Sequence, residues 1–546
     1  MAEESGISCK LSDGKQDGQP SGEMTGAGRG SGTEKGLGHK LSILQPDGSE
    51  AVVTAAMPAC FHDINFDQFE HSLTSGRMRF HLDAVLRAGP VSPETAYFRQ
   101  RVMKDLEREK ILPLARALMS GMTNIRDKFD RIEKLRYLHQ KTALFLETAD
   151  IYGRMVDALA KGLSAATLQS EGLSAFADFL AGYTGSEEFR QLRADIESLQ
   201  AQLGAVRYSV LIRGDTVTVA RYSNEEDYSA EILEIFKRFR LAEAEVPKFS
   251  TQDSFEMDHV EAGILDGVRH LYPAVFDALE QFFASRRDLV HPMLVRFERE
   301  LQFYVAYIDY IAPLRRAGLD FCYPKLAERS EGISAEGAFD IVLARKLTQD
   351  KRPVIANDFF LERAERIFVV SGPNQGGKTT FARMFGQLHY LAGLGLPVPG
   401  KRARLARFDS VFTHFERQED IHDLKGKLQD DLERIHEILA NATGDSIIIM
   451  NEIFTSTTLR DALFLGTRIL EKIEALGARA VCVTFIDELS RLGPATVSMV
   501  SAVDPDDPSE RTYKILRRPA DGHAYAMAIA EKHRLTPNAL RERMRT

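Results

Sequence analysis

Tryptophan is absent from this 546-residue chain, and cysteine is scarce, with only Cys9, Cys60, Cys322 and Cys482. No two cysteines have the C-x-x-C spacing of a zinc ribbon, and their scatter excludes a disulfide framework and fits a reducing cytosol. No run approaches the ~20 apolar residues that a membrane span needs. The N-terminus has no basic-then-apolar signal pattern. A cytoplasmic protein that engages no membrane is therefore expected. An excess of positive charge is also missing: 70 Lys and Arg face 79 Asp and Glu, a net charge of −9. That excludes a basic nucleic-acid coat protein, although a local basic face can still serve DNA within an acidic total. Lys237-Arg238-Phe239-Arg240 and Arg286-Arg287 are the two candidate clusters. Such clusters more often mark solvated helix faces than phosphate contacts. No internal repeat with a period of roughly 20–50 residues is evident.

What is present suits a folded protein of two or three domains: 44% hydrophobic residues, with 32 Phe and 15 Met as core material. Residues 1–58 are rich in Gly, Ser and mixed charge, and read as a disordered arm that cannot offset its ordering entropy. From 59 to 350 the pattern is mostly helical. Apolar residues recur every three or four positions over Phe98–Leu106, Ile125–Leu146, Phe189–Leu203, Ile232–Phe239 and Pro273–Phe283. His291–Ile311 forms a further amphipathic stretch, with Pro313 after its expected end. Tyr208–Ile212 and Thr216–Val219, joined by Arg213-Gly214-Asp215, read as a hairpin. Phe145-Leu146-Glu147 lies inside an apolar helical run, so Phe145 reads as core.

From 351 to 546 strands and helices alternate, which predicts a mainly parallel sheet. Strands are expected at Ile367–Ser371, Val411–Phe415, Ile447–Met450, Ala480–Phe485 and Thr496–Ser501, with an edge strand at Thr512–Leu516. Helices are expected at Lys378–Leu391, Leu428–Ala440, Asp461–Leu476 and Pro537–Met544. The fold class is α + α/β: a helical core or lever domain followed by a P-loop ATPase-type domain.

One stretch carries the chemistry. Gly372, Pro373, Asn374, Gln375, Gly376, Gly377, Lys378, Thr379 and Thr380 fit G-x-x-x-x-G-K-[ST] between an expected strand and an expected helix. Glycines there let backbone N–H groups approach phosphate oxygens, and the helix start adds partial positive charge. Lys378 can reach β- and γ-phosphates, and the Thr379 hydroxyl can ligate Mg²⁺. The buried run Ser446–Met450 ends in Asn451-Glu452, where such ATPases place an acid for Mg²⁺ and a base for the attacking water. Glu452 is the candidate base. Asn451 takes the metal-side position with a neutral amide oxygen, so weaker Mg²⁺ binding and slower turnover are expected. His414, His422 and His436 have no ligand spacing and read as structural or surface residues.

The nine-residue loop resembles that of the MutS mismatch-repair ATPases. So do Val354–Asp358 upstream, Asn451-Glu452-Ile453 with Thr457-Thr458 downstream, the helix Glu300–Ile311 and the segment Tyr525–Ala530. The resemblance is strong from about Glu300 onward, weak from Cys60 to Glu300 and absent before that. It implies an ATP- and Mg²⁺-dependent ATPase, a homodimer formed through the ATPase domains with C-terminal dimerisation helices, and DNA as partner. Mismatched or branched duplex is the expected ligand, and the chain resembles a family member without the mismatch-reading domain. The departures lie at Thr484-Phe485, where the family has Thr-His, at Leu428-Gln429 in place of a Ser-Thr loop, and at Val354, where relatives carry an aromatic. Lys427 could supply charge to a partner's nucleotide or be a solvated lysine. The rival expectations are an ATP-gated dimeric scaffold that does not touch DNA and a different P-loop class.

Overall fold

The computed structural model describes residues 41–213, 216–224, 257, 259–416, 426–504 and 511–520. The chain divides into two compact units. Among the described residues, one comprises those of 113–166 and 177–295, and the other those of 41–112, 167–176 and 296–520. The border expected near residue 350 thus falls inside the second unit. The expected helices Ile232–Phe239 and Pro537–Met544, the cluster Lys237–Arg240, His422 and the segment Tyr525–Ala530 lie outside the described residues.

The first described helices are α1 (Cys60–Asp63), α2 (Phe66–Thr74), α3 (Leu82–Arg87) and α4 (Pro93–Leu106). α4 starts where the sequence says it should. Ser92 caps it by accepting from Thr95 N, Pro93 occupies the first turn, and Ala96, Phe98, Val102, Met103 and Leu106 form its buried face. The arm expected over 1–58 is packed by its final part: Ile43 and Leu44 are buried. Glu300 accepts from Ser42 Oγ at 2.9 Å and from Ile43 N at 2.7 Å, while Arg99 Nε donates to Leu44 O at 3.0 Å. A buried carboxylate and a buried guanidinium thus supply the partners that an irregular backbone needs.

Next come α5 (Ile111–Lys134), α6 (Leu138–Ser164), α7 (Glu171–Thr184) and α8 (Glu187–Ala205). The single helix expected over Ile125–Leu146 is two. Leu135 N closes the last turn of α5 on Arg131 O, and Tyr137 then turns extended (φ −88°, ψ 126°) to begin α6. Phe145 is core, between Phe282 and Phe283 with ring centroids 5.8 and 5.0 Å away. The hairpin is present: β1 (Tyr208–Arg213) pairs antiparallel with β2 (Thr216–Arg221), its Gly214-Asp215 turn lying outside the described residues. α9 (His259–Leu271) and α10 (Pro273–Ser285) complete the first unit's described elements, and Arg286 of the second basic cluster is paired with Asp195 at 3.0 Å.

α11 (Pro292–Arg316) runs through Pro313 instead of ending before it. Proline there removes one N–H from the last turn, and Ala317 N still closes that turn on Pro313 O at 3.1 Å. The second unit continues with β3 (Phe321–Cys322), β4 (Lys325–Ala327), β5 (Ile333–Ala338), α12 (Ile341–Gln349), β6 (Asn357–Leu361), β7 (Ile367–Ser371), α13 (Lys378–Gly393), β8 (Val398–Pro399), β9 (Arg402–Ala406) and β10 (Val411–Phe415). α14 (Lys427–Asn441), β11 (Ile447–Asn451), α15 (Leu459–Leu476), β12 (Arg479–Val483), β13 (Thr496–Val503) and β14 (Arg511–Arg517) follow.

Six strands form one sheet in the order β10-β11-β12-β7-β13-β14, parallel except for the edge strand β14. Every residue of β7, β11 and β12 is buried, as a sheet covered on both faces requires. Alternate side chains go to opposite layers. Ile367, Val369, Ile448 and Met450 join Ile435, Ile469 and Ile473 of α14 and α15. Phe368 turns the other way, towards Phe381 and Phe385 of α13 at 6.0 and 5.9 Å. Four strands in the order β4-β9-β5-β6 make a second, smaller sheet. The architecture is therefore helical with α/β, as expected, plus a sheet that sequence periodicity did not indicate.

Candidate functional site

The parallel order puts the C-terminal ends of β7, β11 and β12 side by side, and the glycine-rich loop leaves from the end of β7. Its conformation is one that few side chains adopt. Gly372 and Gly377 have φ of 113° and 93°, and Gln375 has φ of 61°. A Cβ on Gly372 would come within 3.0–3.2 Å of Ser501 Cβ, N and O on β13. Glycine is needed there for both conformation and space. Ser501 Oγ donates to Gly376 O at 2.7 Å and seats the loop from below.

Lys378 opens α13, buried and turned back over the loop. Its Nζ donates to Gly372 O at 2.9 Å, Pro373 O at 3.3 Å and Asn374 Oδ1 at 3.3 Å. Burial lowers its pKa below the ordinary lysine value, with the Glu452 carboxylate opposing the shift. Thr379 Oγ1 donates to Asn451 Oδ1 at 2.9 Å, which joins the helix start to the end of β11. Glu452 follows in a left-handed conformation, φ 55°, with its N–H donating to Val483 O at 2.9 Å. Lys378, Thr379, Asn451 and Glu452 are thus brought together from two elements, with the bonded pair Thr379 and Asn451 72 residues apart in sequence. Thr380 lies in the first turn of α13, whose leading N–H groups have no intrahelical acceptor.

Chemically, this is a cationic, donor-rich loop at a helix N-terminus, near a carboxylate and two neutral oxygens. It has the means to hold an anion with several oxygens. The hydroxyl of Thr379 and the amide oxygen of Asn451 are hard oxygen donors of the kind Mg²⁺ takes. Among the described residues no group of three or more His, Cys, Asp or Glu gathers as a metal cluster. His414 is buried in β10 with Nε2 3.0 Å from Asp431 Oδ1, a structural role. Lys427 is paired with Glu416, which also accepts from Thr455 Oγ1 at 3.2 Å. Thr484 is buried, while Phe485 beside it is 53% exposed. A cavity of about 740 Å³ lies at the opposite ends of the strands, lined by Phe360, Glu362, Arg363 and Arg404 among others, away from this constellation.

Several supporting contacts here were not indicated by the sequence. Ser501 was the last residue of an expected strand. Asn357 receives Ile515 N at 2.7 Å and donates Nδ2 to Tyr513 O at 3.3 Å, which ties β6 to β14. Arg383 of α13 donates to Asp63 O at 2.9 Å, and Asp63 Oδ2 accepts from Thr413 Oγ1 at 2.6 Å. Only long-range packing reveals these partners.

Residues 368–543 match the family model for MutS domain V, and the match begins one strand before the loop and includes Asn451 and Glu452. The C-terminal part of the chain is thus similar to MutS proteins. It is 26% identical over 270 residues to a DNA mismatch repair protein MutS of Lactobacillus delbrueckii subsp. bulgaricus, covering 48% of this chain and 31% of the relative. It is 27% identical over 250 residues to a DNA mismatch repair protein MutS of Chlorobium phaeovibrioides, covering 44% of this chain and 28% of that protein. The matched part of this chain thus spans about a third of the length of those relatives. No helix among the described residues is long and apolar enough to cross a membrane.

Proposed function

We propose that this chain is an ATP-dependent DNA-binding protein of the MutS type, acting in mismatch repair or on branched or distorted duplex. The observation that carries the ATP part is the 2.9 Å bond from Thr379 Oγ1 to Asn451 Oδ1, made beside the buried ammonium of Lys378. The loop Gly372–Thr380 binds the triphosphate through backbone N–H groups and Lys378. Thr379 and Asn451 would hold Mg²⁺, which supplies neutralisation of phosphate charge when bound. Glu452 orients the attacking water and accepts its proton. Asn451 brings no charge to this work, so turnover is slow. The protein works as a homodimer through its ATPase domains, and ATP state sets its hold on DNA.

The neutral Asn451 and the exposed Phe485 favour a second reading, an ATP-gated dimeric scaffold that binds no DNA. One experiment separates them. Purified protein and its Lys378→Ala variant are titrated with homoduplex, mismatched and four-way-junction DNA across salt, with and without ATP·Mg²⁺. Binding that falls steeply with salt, prefers junction or mismatch and changes with ATP only in the wild type is the expected result. ATP binding without DNA affinity would establish the scaffold instead. Failure to bind ATP would refute both.

A further inference from the structure

The proposed base sits on a loop whose backbone is unusual. Glu452 and Phe454 are both left-handed, with φ of 55° and 61°. Residues with side chains hold that conformation only where the surroundings over-determine it. Three ties do so here. Glu452 N donates to Val483 O at 2.9 Å. Phe454 is fully buried in the core cluster that also holds Ile448, Met450 and Ile469. The third tie lies on the exposed side, where Thr455 Oγ1 donates to Glu416 Oε1 at 3.2 Å.

The sheet places Glu416 for that bond. Phe415 and Asn451 are in register on the parallel strands β10 and β11, so Glu416 and Glu452 leave neighbouring strands at the same level. Lys427, the first residue of α14, donates to the same Oε1 that takes Thr455. That hydrogen bond, and the ammonium charge behind it, hold the Glu416 carboxyl below the ordinary glutamate range. An ionised carboxylate only accepts, so one oxygen receives both donors, and its charge strengthens each bond. Arg434 of α14 adds a bond from Nη1 to Phe415 O at 3.3 Å. Glu416 thus joins three pieces of backbone: the end of β10, the loop after β11 and the start of α14.

We propose that Glu416 is a positioning residue for ATP hydrolysis: it holds Thr455, and with it the strained loop that aims Glu452, against the start of α14. This rests on the reading of Glu452 as the base. Glu416 and Thr455 act on the orientation of Glu452 and leave the binding of the phosphates to Gly372–Thr380. Loss of a hydrogen bond to a charged group, felt wholly in that orientation, corresponds to roughly tenfold in rate.

The test uses the full chain, with ATP affinity and single-turnover hydrolysis measured side by side. Glu416→Ala and, at an exposed position, Thr455→Val are each expected to slow hydrolysis roughly tenfold at unchanged ATP affinity. The double variant should be no slower than either. Thr455→Ser keeps the hydroxyl and should keep the rate. In a Glu452→Gln background Glu416→Ala should have no further effect, which a general loss of structure would not reproduce. The assignment is overturned if either single variant hydrolyses as wild type does, or if affinity falls as much as the rate. It is equally overturned if Glu416→Ala slows the Glu452→Gln protein by the same factor. A wild-type rate in Glu452→Gln alone would instead overturn Glu452 as base, and this assignment with it. Wild-type protein that hydrolyses no ATP would overturn both.

Discussion

Replacing Gly376 with alanine tests how the loop is seated. A Cβ there would overlap Ser501 Oγ and lie 3.0 Å from Pro373 O and 3.1 Å from Ser501 Cβ. Ser501 is fully buried, so it cannot swing into solvent. Turning its hydroxyl away loses the bond to Gly376 O, worth ~1 kcal/mol. The overlap adds an overpacking cost of ~1–3 kcal/mol. If the resulting ~2–4 kcal/mol falls on closure of the loop around a triphosphate, ATP affinity drops by roughly 30- to 1000-fold. Ser501→Gly removes both offending Ser501 side-chain atoms and leaves only the contact with Pro373 O. The double variant Gly376→Ala/Ser501→Gly should therefore bind ATP better than Gly376→Ala alone, with a coupling energy of ~1–2 kcal/mol. The assay is a double-mutant cycle in the equilibrium affinity of a fluorescent ATP analogue, with circular dichroism to show that all four proteins are folded. Wild-type affinity in Gly376→Ala, or no gain in the double variant, refutes the argument that Ser501 sets the loop.

Glu452→Gln should retain ATP binding and lose about 10²–10⁴-fold in single-turnover hydrolysis, the range of a general base; unchanged hydrolysis would remove Glu452 from the reaction. Asn451→Asp adds a charge to the oxygen that accepts from Thr379, so it should lower the Mg²⁺ concentration needed for half-maximal ATPase rate and raise that rate. An unchanged Mg²⁺ titration would count against it. His389, buried in α13, has Nδ1 bonded to Phe385 O at 2.8 Å, and burial pushes its pKa down to about 4. The unfolded chain takes up this proton near pH 6.5 and the folded one near pH 4, so the contribution is complete above pH 6.5. It is lost as pH falls towards 4, by about 3 kcal/mol in all. Urea unfolding of wild type and His389→Phe between pH 7 and 4.5 should show a shallower acid decline in the variant, and parallel curves would contradict the cause.

The central sheet was legible because its strands are short runs of Ile, Val and Met bounded by turn residues, and all six expected strands are present. The loop was legible because its glycines are dictated locally. The small sheet β4-β9-β5-β6 was not legible: its strands are 3–6 residues long and pair with distant partners. The break at 135–137 escaped because apolar spacing continues across it, with Ile125 and Ile132 buried on one side and Phe145 and Leu146 on the other. Ile43 and Leu44 lie in a polar, glycine-rich stretch. Their burial depends on Glu300 and Arg99, and no local pattern announces such partners. At the site, motif residues were readable and the contacts of their supports were not: Ser501 matters through where the fold puts it.

Strain separates this end of the sheet from the rest of the molecule. Eight non-glycine residues have positive φ among the described residues, and four of them, Gln375, Glu452, Phe454 and Tyr513, belong to the loop or to segments bordering it. At ~1–3 kcal/mol each, the four together cost ~4–12 kcal/mol, which rivals the net stability of a typical domain. Such a cost persists only where neighbouring structure over-determines the backbone. The neighbours here do: the fully buried strands β7, β11 and β12, the buried body of α13, and the clamps from Ser501 and Asn357. Gln387 fixes the middle of α13, donating to Ile64 O and Asp340 Oδ1 at 2.9 Å each and accepting from Ile341 N at 3.0 Å. A loop held this firmly keeps its donors aimed before any ligand arrives, and ligand binding then has less ordering to offset. On the proposed reading, the supports outside the motif therefore belong to the site as much as Lys378 does.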